Sequence, residues 1–152
     1  MVTRILRQTR TTRTIRLHAF GGTDGLCLDG VIPPEPRAEE VLVRVHAFGV
    51  NPFDWKTSEG QFGPLPMPRK SGCDFSGVVE ALGSGVADFF VGQSVFGYSS
   101  FGGAFAELMA VLVGSLAAKP PSLDDVQAAA TPLCGLTAWQ ALFELADLQP
   151  GH

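Results

Sequence analysis

The residues of this chain that could ligate a metal or act as nucleophiles are few and scattered. Cys27, Cys73 and Cys134 are odd in number and widely spaced, with no CxxC pair. Neither a disulfide framework nor a four-thiolate zinc site is expected of such a set, and reduced thiols in a cytoplasmic setting are the default. His18 and His46 fall within predicted strands with no paired ligand or nucleophile beside them, and read as structural. The densest chemistry lies in Asn51-Pro52-Phe53-Asp54-Trp55-Lys56, where an amide, a carboxylate and an amine alternate with aromatic rings. Each has an ordinary use. Asn51 can end a strand through local backbone hydrogen bonds. Asp54 can cap the short helix it starts. A lysine on such a helix is usually solvated. Phe53, Trp55 and the single tyrosine, Tyr98, either pack in a core or form the apolar wall of a site for a planar ligand.

The elements that must position these groups follow from pattern. Thr14 to His18 and Leu26 to Val31 read as strands around the glycine-rich turn Gly21-Gly22-Thr23-Asp24-Gly25, an opening hairpin. Glu40 to Val50 is β-branched and partly alternating, a long strand. Asn51-Pro52 breaks the ladder and opens a short helix through Lys56. Pro64, Pro66 and Pro68 make Gln61 to Ser71 an extended surface loop of the kind that borders sites. Asp74 to Leu82, Ser94 to Phe96 and Ala104 to Val113 supply three more strands. Short strands at near-regular spacing favour a small barrel over a βαβ sheet. From Ser122 the texture becomes helical. Ser122-Leu123-Asp124-Asp125 has the form of a capping box, predicting a helix from Leu123 to about Ala130. A second helix runs from about Cys134 to Ala146, ended by Pro150-Gly151, and Thr137 within it can bond back to its own helix.

Composition narrows the function. At 152 residues, 45% hydrophobic and net charge -4, the chain reads as a soluble globular domain with a real core. Arg4, Arg7, Arg10, Arg13 and Arg16 crowd the start, while every Asp and Glu lies at or after Asp24. Residues 1–12 are read as a flexible basic extension before the first strand. The acidic body argues against nucleic acid as partner. No apolar stretch approaches the roughly 20 residues that span a bilayer, so no membrane partner is expected.

Several segments occur in an order that resembles a known family. They are Ile15-Arg16-Leu17-His18-Ala19-Phe20-Gly21-Gly22, Glu40-Val41-Leu42-Val43-Arg44-Val45, Gly49-Val50-Asn51-Pro52-Phe53-Asp54-Trp55-Lys56, Gly72-Cys73-Asp74-Phe75-Ser76-Gly77-Val78-Val79-Glu80 and Gly135-Leu136-Thr137-Ala138-Trp139. The chain resembles the GroES-like substrate domain of the quinone oxidoreductase (zeta-crystallin-like) branch of the medium-chain dehydrogenase/reductase superfamily, from about Arg13 to Pro150. The resemblance implies a mainly β fold with helices. Its GroES-like, partly open β-barrel would span residues 13–121, and a helical connector, residues 122–152, would lead into a nucleotide-binding Rossmann domain not contained in these residues. It implies NADP or NAD as cofactor of the intact relative, a quinone or α,β-unsaturated carbonyl as small-molecule substrate, and no activity from this half alone.

The same resemblance assigns roles. Related zinc alcohol dehydrogenases carry a thiolate where Asn51 stands and an imidazole where Cys73 stands, with Asp74 and Cys134 matching the remaining ligands. An amide is a poor zinc ligand beside thiolate, so no zinc is expected, although Cys73, Asp74 and Cys134 could still converge as a partial site. Without a metal, charge on a carbonyl oxygen needs another stabiliser. Lys56 is the first candidate catalytic residue. Asn51 and Thr137 are expected near the nicotinamide, and Phe53, Asp54, Trp55 and Tyr98 in the substrate cleft. Two alternatives stand beside this expectation. One is a zinc-dependent alcohol dehydrogenase-like domain with degenerate ligands. The other is a non-catalytic GroES-like module that self-associates or docks a partner through Leu136, Trp139, Leu142, Phe143 and Leu145.

Overall fold

The computed structural model describes residues 11–149 and residue 151, so most of the basic extension read over residues 1–12 lies outside the described residues. The chain opens with the expected hairpin, β1 (Thr12–Leu17) and β2 (Leu26–Val31), paired antiparallel across a short 3-10 turn. The long strand follows as β3 (Glu40–Gly49), then helix α1 (Pro52–Ser58) and a two-residue strand β4 (Arg69–Lys70) inside the proline-rich loop. β5 (Asp74–Leu82), β6 (Ser94–Tyr98), β7 (Leu108–Leu112) and β8 (Leu116–Ala118) complete the strands. Helices α2 (Asp125–Ala129) and α3 (Pro132–Trp139) end the fold, α3 continuing as a π-helical turn over Gln140–Leu145.

The strands form two sheets, β2-β1-β4 and β7-β3-β5-β6-β8, with β7 and β8 at opposite edges of the larger one. The structure is therefore mainly β with few helices, and its sheets do not close. The two sheets are joined by the segment just before β7. There Ile15 N–H donates to the Phe105 carbonyl, Glu107 N–H to the Arg13 carbonyl, and Val45 N–H to the Glu107 carbonyl. This seam is why the strand expected over Ala104 to Val113 is shorter than its sequence suggests. Residues 104–107 divide their hydrogen bonds between two sheets instead of extending one ladder.

The core lies on the inner face of the larger sheet, where Val41, Val43, Phe75, Val79, Val95, Met109 and Val111 are buried together. β3 is bulged between Leu42 and Val43 and between Val45 and Ala47, which bends it over this core. Its partner strand approaches closely at Gly77, where a Cβ would meet the Arg44 carbonyl oxygen at 2.0 Å. Only glycine fits there.

The helical end differs from expectation in detail. The capping box sits two residues later than Ser122: Asp124 accepts from Gln127 N–H at 2.7 Å, and the Gln127 side chain accepts from Asp124 N–H at 3.1 Å. Residues 120–123 are instead taken up by a turn, in which Leu123 N–H bonds the Pro120 carbonyl and Lys119 Nζ donates to the Leu123 carbonyl. α3 begins at Pro132 rather than Cys134, with the proline in the first turn where its missing N–H costs nothing. Among the described residues no helix is long and apolar enough to cross a membrane.

Candidate functional site

The local sequence sets up the first part of the site. β3 ends at Gly49, Asn51 takes an extended conformation, and Pro52 starts α1 with its fixed φ. The Asp54 carboxylate turns back to accept from Asn51 N–H at 2.7 Å, one arm of a capping box. Asp54 therefore caps α1 and also faces an adjoining cleft.

The second part is held by Asp74, the first residue of β5, which is completely buried. Its Oδ2 accepts from Asn51 Nδ2 at 2.9 Å and its Oδ1 from Leu133 N–H at 3.1 Å, in the first turn of α3. One carboxylate thus ties the end of β3, the start of β5 and the N-terminus of α3, where helix amides favour negative charge. Burial nonetheless dominates and pushes the Asp74 carboxyl above its ordinary range, against the bonds from Asn51 and Leu133. Asp54 is raised as well, by burial that outweighs the amides of Asn51 and Gly72. Beside them the Cys73 thiol is pushed up to about 12, first by burial and then by the two carboxylates. Cys73 is a protonated thiol at neutral pH and no thiolate nucleophile.

A cleft of about 130 Å³ opens between α1 and the segment from β4 to Cys73. Phe53, Asp54 and Trp55 line it, as does Phe105, a residue the sequence did not single out. Phe62, exposed in the proline-rich loop, packs its ring 5.2 Å from that of Phe53 and extends the aromatic surface. Arg69 and Lys70, in the loop read from its prolines, border the same cleft. Lys56 is half-buried on α1 with its Nζ over the Trp55 ring, 5.5 Å from the centroid. Asn51 is buried behind the helix start. Tyr98 is opposite Asp74 in the β5–β6 register and lines a separate depression of about 330 Å³ with Pro132 and Leu136. Its phenol is raised by burial and then by Cys73, Asp74 and Asp54. Thr137 is exposed on α3, and its hydroxyl has no hydrogen-bond partner among the described residues.

Cys73, Asp74 and Cys134 do not assemble into a partial metal site. Cys73 is buried and Cys134 exposed, and among the described residues no group of three His, Cys, Asp or Glu side chains is placed to hold an ion. The histidines do have carboxylate partners, which the sequence reading lacked. His18 Nε2 is 2.8 Å from Asp29, and His46 Nδ1 is 2.9 Å from Asp125. Asp125 also accepts from Ser76 Oγ at 2.9 Å and lies 3.4 Å from Lys119 Nζ, anchoring α2 to the sheet.

Residues 37–121 of this mainly β, partly open fold match the alcohol dehydrogenase GroES-like domain. Rat quinone oxidoreductase is 36% identical over 142 residues, covering 92% of this chain and 43% of its own length. Among solved structures, the human synaptic vesicle membrane protein VAT-1 homolog-like protein superposes with a TM-score of 0.87 at 34% identity, covering 93% of this chain and 45% of its own. The Escherichia coli quinone oxidoreductase complexed with NADPH superposes with a TM-score of 0.81 at 30% identity, covering 86% and 40%. The chain belongs to the quinone oxidoreductase branch of the medium-chain dehydrogenase/reductase superfamily and corresponds to its N-terminal GroES-like part. It spans under half the length of these relatives.

Proposed function

We propose that this chain is the substrate-binding half of a zinc-independent, NAD(P)H-dependent reductase of quinones or α,β-unsaturated carbonyls, inactive without a nucleotide-binding domain. The observation that carries this is the aromatic cleft on α1, next to an amide at Asn51 where a zinc enzyme has a thiolate, in a chain related to quinone oxidoreductases. The residues present fit a nicotinamide at the α3 side, since the Thr137 hydroxyl is exposed and uncommitted. The nicotinamide, when bound, supplies the hydride. Thr137 and Asn51 would hold its ring end, Asn51 being fixed in orientation by Asp74. Phe53 and Trp55 would stack against the conjugated plane of the substrate. Lys56, released from Trp55, would hold the carbonyl oxygen as negative charge builds there, and solvent would supply the proton. The three free cysteines support a reducing, cytoplasmic setting.

A chimera with residues 11–149 in place of the matching part of the Escherichia coli quinone oxidoreductase tests this. It is expected to oxidise NADPH with a quinone, to be insensitive to chelators, and to lose about tenfold to hundredfold in kcat on Lys56→Ala. Stoichiometric zinc with activity abolished by chelation, or no turnover of quinones and enones, would overturn it.

A further inference from the structure

The charges bordering the cleft favour a negatively charged ligand. Arg69 and Lys70 form β4, clamped to β1 by the register Leu17↔Arg69 and Arg16↔Lys70. Both border the cleft, but Lys70 pairs with Arg16 and turns its side chain to the opposite face, against Gly103 and a second depression that Arg16 also lines, which leaves the half-buried Arg69 on the cleft side. Arg13, Arg16, Arg44 and Lys119 are each paired with a carboxylate, and the Lys56 amine rests on Trp55. The side chains of Arg69 and Lys70 have no hydrogen bond or ion pair among the described residues. The one acid in the lining is Asp54, whose carboxylate is occupied by the amides of Asn51 and Gly72. One uncommitted guanidinium thus borders an apolar cleft against one carboxylate that is already satisfied. A guanidinium presents a planar fork that matches a carboxylate.

We propose that the cleft selects an anionic conjugated carbonyl, a single-ring enone or quinone carrying a carboxylate, with the acid group held by Arg69 and the ring against Phe53, Trp55 and Phe105. The conjugated carbonyl rests on the function proposed above, whereas the acid group rests on β4 alone. The covalent chemistry is unchanged. What β4 adds is orientation, because an anchored acid fixes which end of the substrate points toward α3.

Calorimetric titration of the whole chain with benzylideneacetone, and with the same enone bearing a para-carboxylate, separates the two claims. The acid is expected to bind about tenfold tighter than its neutral parent. Arg69→Gln should erase most of that preference without weakening the parent, while Arg69→Lys should keep part of it and decides should Arg69→Gln fail to fold. Equal affinities for the two ligands, or a preference unchanged in the variants, would overturn the anion claim and leave the enone reading intact. Saturable binding of neither ligand would overturn both.

Discussion

Asp74 shows how one side chain can set a site and also limit stability. It is fully buried and bonded at both oxygens, to Asn51 and to the amide of Leu133. Removing it leaves those buried donors unsatisfied, so Asp74→Ala is expected to cost about 3 kcal/mol in urea unfolding. Its pH dependence has a definite sign. Burial holds the folded carboxyl above its ordinary value of 3.8, so the folded state keeps a proton that the unfolded chain has released. The stability this group contributes is fully present below 3.8 and is lost as pH rises through the folded pKa. In Asp74→Asn that step is absent, and the stability difference between wild type and variant should shrink as the pH of denaturation is raised from 3 to about 7. A difference that grows over the range would contradict it. Asp54 capping α1 was legible because its partner is three residues away. The bond from Leu133 to Asp74 was not, because its ends lie 59 residues apart and no local pattern marks them.

At the scale of elements, legibility follows length and period. Leu26–Val31 and Asp74–Leu82 are found to the residue, since each gathers apolar residues between flanking turn residues. β4 and β8, of two and three residues, are too short to show a period and exist only because a neighbouring strand offers free backbone groups. The start of α2 was misread because Ser122 offers as good a local cap as Asp124. The choice is made by Asp125, which must reach Ser76, His46 and Lys119 across the sheet. Burial raises the Asp125 carboxyl, but the bonds from His46, Ser76 and Lys119 together outweigh it and leave it below 3.8. Its stabilisation is therefore present above that value and lost as pH falls through the folded pKa, the opposite of Asp74. Asp125→Asn should cost about 1 kcal/mol at pH 7, discounted for partial exposure, and the deficit should vanish in acid. A deficit independent of pH would mean that α2 is held by packing alone.

For the whole molecule, the decisive feature is the apolar face left open by α3 and its π-helical extension. Leu136, Trp139, Leu142, Phe143 and Leu145 are all exposed, and the Trp139 ring lies 4.7 Å from that of Phe143, centroid to centroid. A contiguous face of this kind seeks cover. The purified chain is expected to self-associate with rising concentration in sedimentation experiments, and Trp139→Ser with Leu145→Ser should return it to monomer. A monomer at high concentration without those changes would count against it. This face was visible in the sequence as the apolar set Leu136, Trp139, Leu142, Phe143 and Leu145 on one predicted helix, whereas the two-sheet seam near Phe105 was not, because it depends on contacts 91 residues apart.

On the function proposed above, Trp55 in the cleft on α1 and the exposed Thr137 on α3 would both contribute to one wall of a site for a pyridine dinucleotide and its oxidant. Fluorescence titration of the isolated chain with NADPH tests this most directly. No saturable binding below about 1 mM is expected, with micromolar binding appearing once a relative's nucleotide-binding half is fused after residue 149. Tight, saturable binding by the isolated chain would show that these residues already form a complete cofactor site.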